Sequence, residues 1–277
     1  MKKDRTNLIL VLIFIIGLSV MLYPTVSDYW NSRTQSRAVA TYNETVESMS
    51  EEDYEEMFQE AEAYNEALSQ VDMPFVNYDQ VEGYEDILDI SGTGIMGYVT
   101  IEKIRVELPI YHGTEDSVLQ IAAGHLQGSS LPIGGIGTHS VISAHRGLPS
   151  ARLFTELDEL EVGDTFTITV LDRQMTYQVD QIRIVEPQEI EELQIDPEED
   201  YCTLMTCTPY GINSHRLLVR GVRIEGEAPA AYVPAEADQV NATIVAIVIA
   251  IILLAILLPV LAGIRWWLGR RRAGRRR

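Results

Sequence analysis

Cysteine is nearly absent. The 277 residues contain two, Cys202 and Cys207, too few for the disulfide framework that stabilises many exported domains. On one strand, a spacing of five would point their side chains to opposite faces, so the two are not expected to pair. Basic residues are also scarce through most of the chain. Ten of the 21 lie at the ends (Lys2, Lys3, Arg5, Arg265, Arg270, Arg271, Arg272, Arg275, Arg276 and Arg277), accompanied there by a single acidic residue, Asp4. The middle holds 11 basic and 40 acidic residues, a net of −29. Coulomb repulsion opposes approach of such a body to a polyanion, so nucleic acid is excluded as a natural partner. No internal repeat is present. The acidic stretch from Glu189 to Asp200 lacks the compact alternating ligands of an EF-type calcium loop and reads as a solvated loop.

Two uncharged apolar runs account for the uneven charge. One covers 8–23 (LILVLIFIIGLSVMLY) and the other Ile244 to Ile264, followed by Trp266 and Trp267. About 20 apolar residues cross a bilayer core of about 30 Å, so the second is long enough and the first is at the short end. A secretory h-region is the alternative for the first run. Pro24 to Trp30 offers no small-x-small cleavage site, which favours an uncleaved anchor. Positively charged flanks stay cytoplasmic. Both ends are basic, which predicts two spans, both termini inside and the acidic body outside. The arginine tail reads as a topology signal rather than a lipid-recognition element. The expected order is a cytoplasmic start (1–7), an anchor (8–23), an extension (24–91), a main folded domain (92–226), a linker (227–242), a second span (243–264) and a basic tail (265–277).

Within the extension, residues 35 to 70 carry helical periodicity through Ala38, Tyr42, Val46 and Met49, then Tyr54, Phe58, Ala61, Asn65 and Leu68. Ser50 with Asp53 forms a capping box between the two halves, so a helical hairpin or one bent helix is expected. The segment 71–79, with Pro74, has no regular period. From Gly92 the texture becomes short alternating runs separated by Gly, Pro and Asp: 97–101, 108–111, 139–144, 165–170, 175–185, 201–207 and 216–224. This pattern predicts a mainly β fold, an antiparallel barrel or sandwich. A helical turn is expected at 151–160, where Leu153, Phe154, Leu157 and Leu160 share a face.

Three residues suggest chemistry. Cys207 ends an alternating run and precedes Thr208-Pro209-Tyr210-Gly211, so it should lie at a strand end beside a loop. Cys202 reads as a small buried residue. His145 closes another alternating run, and His139 shares its parity, so position alone does not choose between them. Arg216 opens the last strand. A thiol needs a cationic neighbour to be a good nucleophile near neutral pH, and histidine can supply one and then protonate a leaving amine. A guanidinium can hold a developing oxyanion. Spacing alone does not establish that the three meet.

The motifs supply a resemblance. Thr203-Leu204-Met205-Thr206-Cys207 resembles the sortase Thr-Leu-x-Thr-Cys signature, with Arg216 where that family keeps its arginine. Ser143-Ala144-His145-Arg146-Gly147-Leu148-Pro149 resembles the strand bearing the family's histidine. The stretches 97–101, 108–113 and 206–213 are similar to class C, pilus-assembling sortases. The resemblance spans roughly 92–225. It implies an eight-stranded sortase barrel with Cys207, His145 and Arg216 in its groove, and no metal or cofactor. It also implies a reaction: cleavage of a Leu-Pro-x-Thr-Gly-like signal through a thioester, and transfer to a lysine amine of a pilin or another surface protein. Attachment of proteins to the peptidoglycan precursor is the alternative within the family, and a non-catalytic membrane adaptor the alternative outside it. Thr206 and Ser143 read as strand-filling residues, and structural hydrogen bonding is expected of His112, His125, His139 and His215. Class C sortases carry an Asp-Pro-aromatic lid. Here the match is Asp72-Met73-Pro74-Phe75, with a methionine inserted, and it predicts that Asp72 pairs with Arg216 and Phe75 covers Cys207.

Overall fold

The computed structural model describes residues 2–225, and beyond them only Ile252, Pro259 and Gly263. The linker 227–242, the basic tail and nearly all of the second apolar run therefore lie outside the described residues. The chain divides into two units, Met1–Ala228 and Pro229–Arg277, and the first contains everything below.

Helix α1 (Lys2–Glu47) runs through the first apolar segment and continues past Pro24 without a break. Its portion Leu12–Glu47 is the candidate membrane span among the described residues, by length and hydropathy. Further along, Gln35, Val39, Tyr42 and Val46 are buried at the three-to-four-residue spacing that places side chains on one helix face. Tyr42 fastens this face to the barrel: its hydroxyl donates to Met96 O at 3.1 Å and accepts from Leu171 N at 2.8 Å.

Of the two shapes expected for 35–70, the structure adopts two helices. Helix α2 (Glu51–Ser69) begins at the capping box, where Ser50 Oγ accepts from Asp53 N and the Asp53 carboxylate accepts from Ser50 N. It buries Phe58, Ala61, Tyr64, Asn65 and Leu68. Asn65 satisfies both backbone groups of Leu131, accepting from its N–H at 2.7 Å and donating to its carbonyl at 3.2 Å. A short helix α3 (Pro74–Asn77) and a 3₁₀ turn (Tyr78–Gln80) follow.

Eight strands then close a barrel: β1 (Ile95–Ile101), β2 (Val106–His112), β3 (Ala123–His125), β4 (Thr138–Ser143), β5 (Thr165–Val170), β6 (Arg173–Val185), β7 (Asp200–Thr208) and β8 (His215–Arg223). Their order around the barrel is β1-β2-β3-β4-β7-β8-β6-β5. The β2–β3 and β4–β7 pairs are parallel and the others antiparallel. A four-residue helix, α4 (Asp116–Leu119), lies between β2 and β3.

Period-two alternation sorts β4, β7 and β8 into two faces. Ile142, Leu204, Cys202, Leu217 and Val219 join the large interior core. Val141, Met205 and Leu218 point the other way and form a separate apolar cluster with Leu193, Leu126, Val185 and Phe75. That outer cluster is the floor of the groove described below.

Three expectations are corrected. Strand β3 is absent from the alternating runs, because Ala123-Gly124-His125 is too short to show a period. The segment 151–160 is not an α-helical turn: Leu153 has φ of 44° and only Leu157–Glu159 is helical, as 3₁₀. Leu153, Phe154, Leu157 and Leu160 are nonetheless all buried. The acidic stretch is not solvated throughout. Asp200 is buried and accepts from Tyr177 OH at 3.0 Å and Gly135 N at 2.8 Å. Desolvation raises its pKa, with these two hydrogen bonds opposing.

Candidate active site

Cys207 lies one residue from the end of β7, on the outer face with Met205 and Thr203, and is partly exposed. Arg216, at the start of β8, is its direct cross-strand partner. On the other side, the β4–β7 ladder reaches Ser143↔Met205. Two bonds carry it further: Ala144 N donates to Met205 O at 3.1 Å, and Thr206 Oγ1 donates to Ala144 O at 2.8 Å. Running that register on by two places sets His145 level with Cys207. His145 also shares the parity of Val141 and Ser143, so it belongs to the same outer face. Antiparallel and parallel neighbours of one strand thus bring the three sequence-predicted residues to one level.

All three line a single cavity of about 940 Å³, with Ser143, Ala144, Thr206, Met205 and Leu218. Arg216 forms no ion pair among the described residues; its only hydrogen bond runs from Nη1 to His215 O at 3.3 Å. Its charge is therefore not balanced by a carboxylate among the described residues. Cys202, five residues earlier, is fully buried, and burial pushes its thiol well above the ordinary range. The odd spacing separates the two cysteines as expected, and they remain unbonded.

The lid segment divides its residues. Phe75 packs on the outer apolar cluster and, with Tyr78, lines the cavity. A glycine makes this approach possible: a Cβ on Gly128 would stand 2.8 Å from both Phe75 Cα and Pro74 O. Asp72 does not pair with Arg216. Its carboxylate is exposed and has no cationic partner among the described residues, while its carbonyl accepts from Asn77 Nδ2 at 2.6 Å. The inserted Met73 adopts the left-handed conformation (φ 52°, ψ 65°). This turn lies between Asp72 and Pro74, so the carboxylate and the ring part company.

Sequence reasoning missed two further residues. Asp116, on α4, places Oδ1 3.7 Å from His145 Nε2, while its Oδ2 accepts from Gln120 at 2.9 Å. No local pattern links residues 29 positions apart. Arg146 turns inward beside His145: Nη2 donates to Asp158 at 2.5 Å and Nη1 reaches Thr208 Oγ1 at 3.5 Å. It connects the residue after the histidine to the residue after the cysteine.

The remaining histidines make structural hydrogen bonds. His139, which parity could not separate from His145, is buried: Nδ1 is 2.9 Å from Gln194 O and Nε2 2.8 Å from Thr203 Oγ1. His125 lies between Tyr84 OH at 2.9 Å and Ser130 O at 2.8 Å. Desolvation by burial lowers both pKa values to about 4. His112 Nδ1 and Nε2 face Gly94 O and Ile87 O, and His215 Nδ1 lies 2.8 Å from Ser214 Oγ.

Comparison with known proteins agrees with the fold. The sortase domain family matches residues 99–224. The crystal structure of sortase C1 from Streptococcus agalactiae is 48% identical, with a TM-score of 0.63, covering 69% of this chain and 100% of that one. Sortase C of Streptococcus pneumoniae, whose structure was described for its catalysis and pilin substrate specificity, is 47% identical at a TM-score of 0.63, covering 70% and 99%. Sortase D of Bacillus subtilis is 29% identical over 131 residues, 46% of this chain and 63% of that protein. The chain thus spans less than two thirds of that curated relative. The barrel, its cysteine–histidine–arginine level and these likenesses together place the chain in the sortase family, among its class C members.

Proposed function

We propose that the protein is a membrane-anchored cysteine transpeptidase that joins pilin subunits. The observation that carries this reading is the meeting of Cys207, His145 and Arg216 at one level of the barrel's outer face, over an apolar floor. Leu126, Val185, Leu193 and Leu218 suit the Leu-Pro part of a Leu-Pro-x-Thr-Gly-like signal, and the thiol stands at the end of that floor.

In the reaction, the Cys207 thiolate attacks the threonine carbonyl carbon while Arg216 donates to the oxygen that gains charge. The C–N bond to glycine breaks as His145 protonates the departing amine, leaving a thioester. A lysine amine of another subunit then attacks that carbonyl and gives its proton to His145. The C–S bond breaks, and thiolate and isopeptide result. Each proton taken by His145 in the second half replaces one it gave in the first.

In this reading α1 anchors the enzyme, the second apolar run 243–264 makes a second span, and both termini are cytoplasmic with the barrel outside. Attachment to the peptidoglycan precursor is the rival. The likeness to sortase C structures, one titled for pilin substrate specificity, favours pilin transfer. Incubation with a sorting-signal peptide tests the enzyme reading. A Cys207 adduct with loss of the glycine-side fragment is expected, and an unmodified protein would support the adaptor alternative. Adding a pilin lysine or a peptidoglycan precursor amine in parallel then separates the two transferases by product mass.

A further inference from the structure

The barrel is tied to α1 close to where the apolar run ends. Asp28 Oδ1 accepts from Arg152 N at 2.9 Å, and Asn31 Nδ2 donates to Ser150 O at 2.8 Å. At a helical rise of 1.5 Å per residue, Asp28 lies about 7.5 Å and Asn31 about 12 Å beyond Tyr23. The headgroup layer adds roughly 5–8 Å to each side of the hydrocarbon core. The loop bonded to Asp28 and Asn31 therefore stands at the bilayer surface if α1 spans. Tyr23, Val26 and Trp30 are exposed on the helix side turned away from that loop, and Arg33 and Arg37 follow them in the exposed surface. Tyr and Trp are enriched at both membrane–water interfaces, so Tyr23 and Trp30 suit the level at which the helix leaves the membrane.

Contacts lead from this level to the nucleophile's loop. The Tyr210 ring lies against Gly147, where a Cβ would come within 2.8 Å of it. Arg146 stands 6.0 Å from the same ring. Yet Tyr210 is 62% and Ile212 72% exposed, and nothing in the described chain covers them. Part of the local acidity is neutralised: Asp158 pairs with Arg146 and Glu156 with Arg152.

We propose that the loop 209–213 is a membrane-interface contact. Tyr210 and Ile212 enter the boundary between headgroups and acyl chains and hold the mouth of the Cys207 groove against the bilayer from which α1 emerges. The partner is the lipid surface itself. An aromatic with a polar tip and an exposed aliphatic side chain are suited to that layer. The consequence is selective: a substrate whose signal adjoins its own membrane segment is delivered at the height of the groove, whereas a soluble peptide gains nothing from the contact.

This inference rests on α1 as a span, and the experiment separates the two. The full chain is placed in phosphatidylcholine–phosphatidylglycerol nanodiscs containing a lipid with a photoreactive group near its headgroup, and adducts are mapped by mass spectrometry. Labelling is expected within 12–23 and 209–213 and not at 134–137, the loop bearing exposed Ile136 before β4. Labelling at 12–23 with none at 209–213 overturns the loop contact alone; none at either overturns the span and the contact together. In a second arm, Ile212→Glu should lower cleavage of a bilayer-anchored signal about tenfold and leave a soluble signal peptide within twofold, with Ile136→Glu changing neither. Equal loss on both substrates would show a structural defect and reject the proposal.

Discussion

Cys207 and Cys202 share one strand and have opposite surroundings. One thiol opens on the groove and the other is sealed in the core. Cys207→Ala should therefore eliminate the acyl adduct while leaving urea stability close to that of the parent. Cys202→Ala should keep adduct formation and cost about 1 kcal/mol, as small core truncations do; mass spectrometry and urea titration read the two effects. Arg216 makes a different case. Because it has no carboxylate partner among the described residues, its removal breaks no ion pair. Arg216→Ala should lower the rate of thioester formation roughly 100-fold or more, the usual effect of losing a donor to an oxyanion. Stopped-flow release of the glycine-side fragment measures it, and an unchanged rate would remove Arg216 from the mechanism. At this scale the sequence was highly legible, since strand ends and parity are local properties. Asp116 and Arg146 were not, because each acts across the fold on a residue that no spacing rule connects to it.

At the scale of elements, the lid is where the reading from sequence and the structure differ most usefully. A proline and an aromatic between helix and barrel are visible as a break in periodicity, and Phe75 does reach the groove. What the aspartate does depends on one backbone torsion at Met73, which no composition argument supplies. The effects of the two residues should accordingly separate. Phe75→Ala should speed alkylation of Cys207 several-fold and lower the melting temperature, because the competent open fraction rises as an internal ligand is lost. Asp72→Ala should change neither. Gly128→Ala offers an independent lever, since its Cβ would displace the lid backbone. It should speed alkylation as Phe75→Ala does. Equal alkylation rates in parent and Phe75→Ala would mean that the segment is only a linker. Most strands were readable from alternation, and β3 escaped because three residues cannot display a period of two.

The whole molecule carries a dependence on acidity that is independent of catalysis. His125 and His139 are held neutral in the fold, with pKa values lowered to about 4 from 6.5. The unfolded chain takes up these protons first, so the stability they contribute is complete above about pH 6.5 and is lost as pH falls towards 4. Asp200 and Glu107, whose pKa values burial raises, work in the opposite direction at the acid end. Melting temperature should fall between pH 7 and pH 5. His139→Gln should be less stable at pH 7 and show a shallower slope over the same interval. A parent melting temperature that does not change across that window would contradict the linkage.

Helix α1 also bears on how the molecule carries load. The chain passes from the apolar run to the barrel inside one uninterrupted helix, with no flexible tether between them. Asp28 and Asn31 bond to one loop of the barrel, Gln35 to Ile121 O and Tyr42 to Met96 and Leu171, at successive levels along the helix. A pull applied at Cys207 and resisted at the apolar run would therefore be shared among these contacts side by side, in shear, instead of peeling them apart in turn. The enzyme behaves as a tool on a rigid shaft. Its working end stays at a fixed height and bearing, and any adjustment of reach must be made by the substrate.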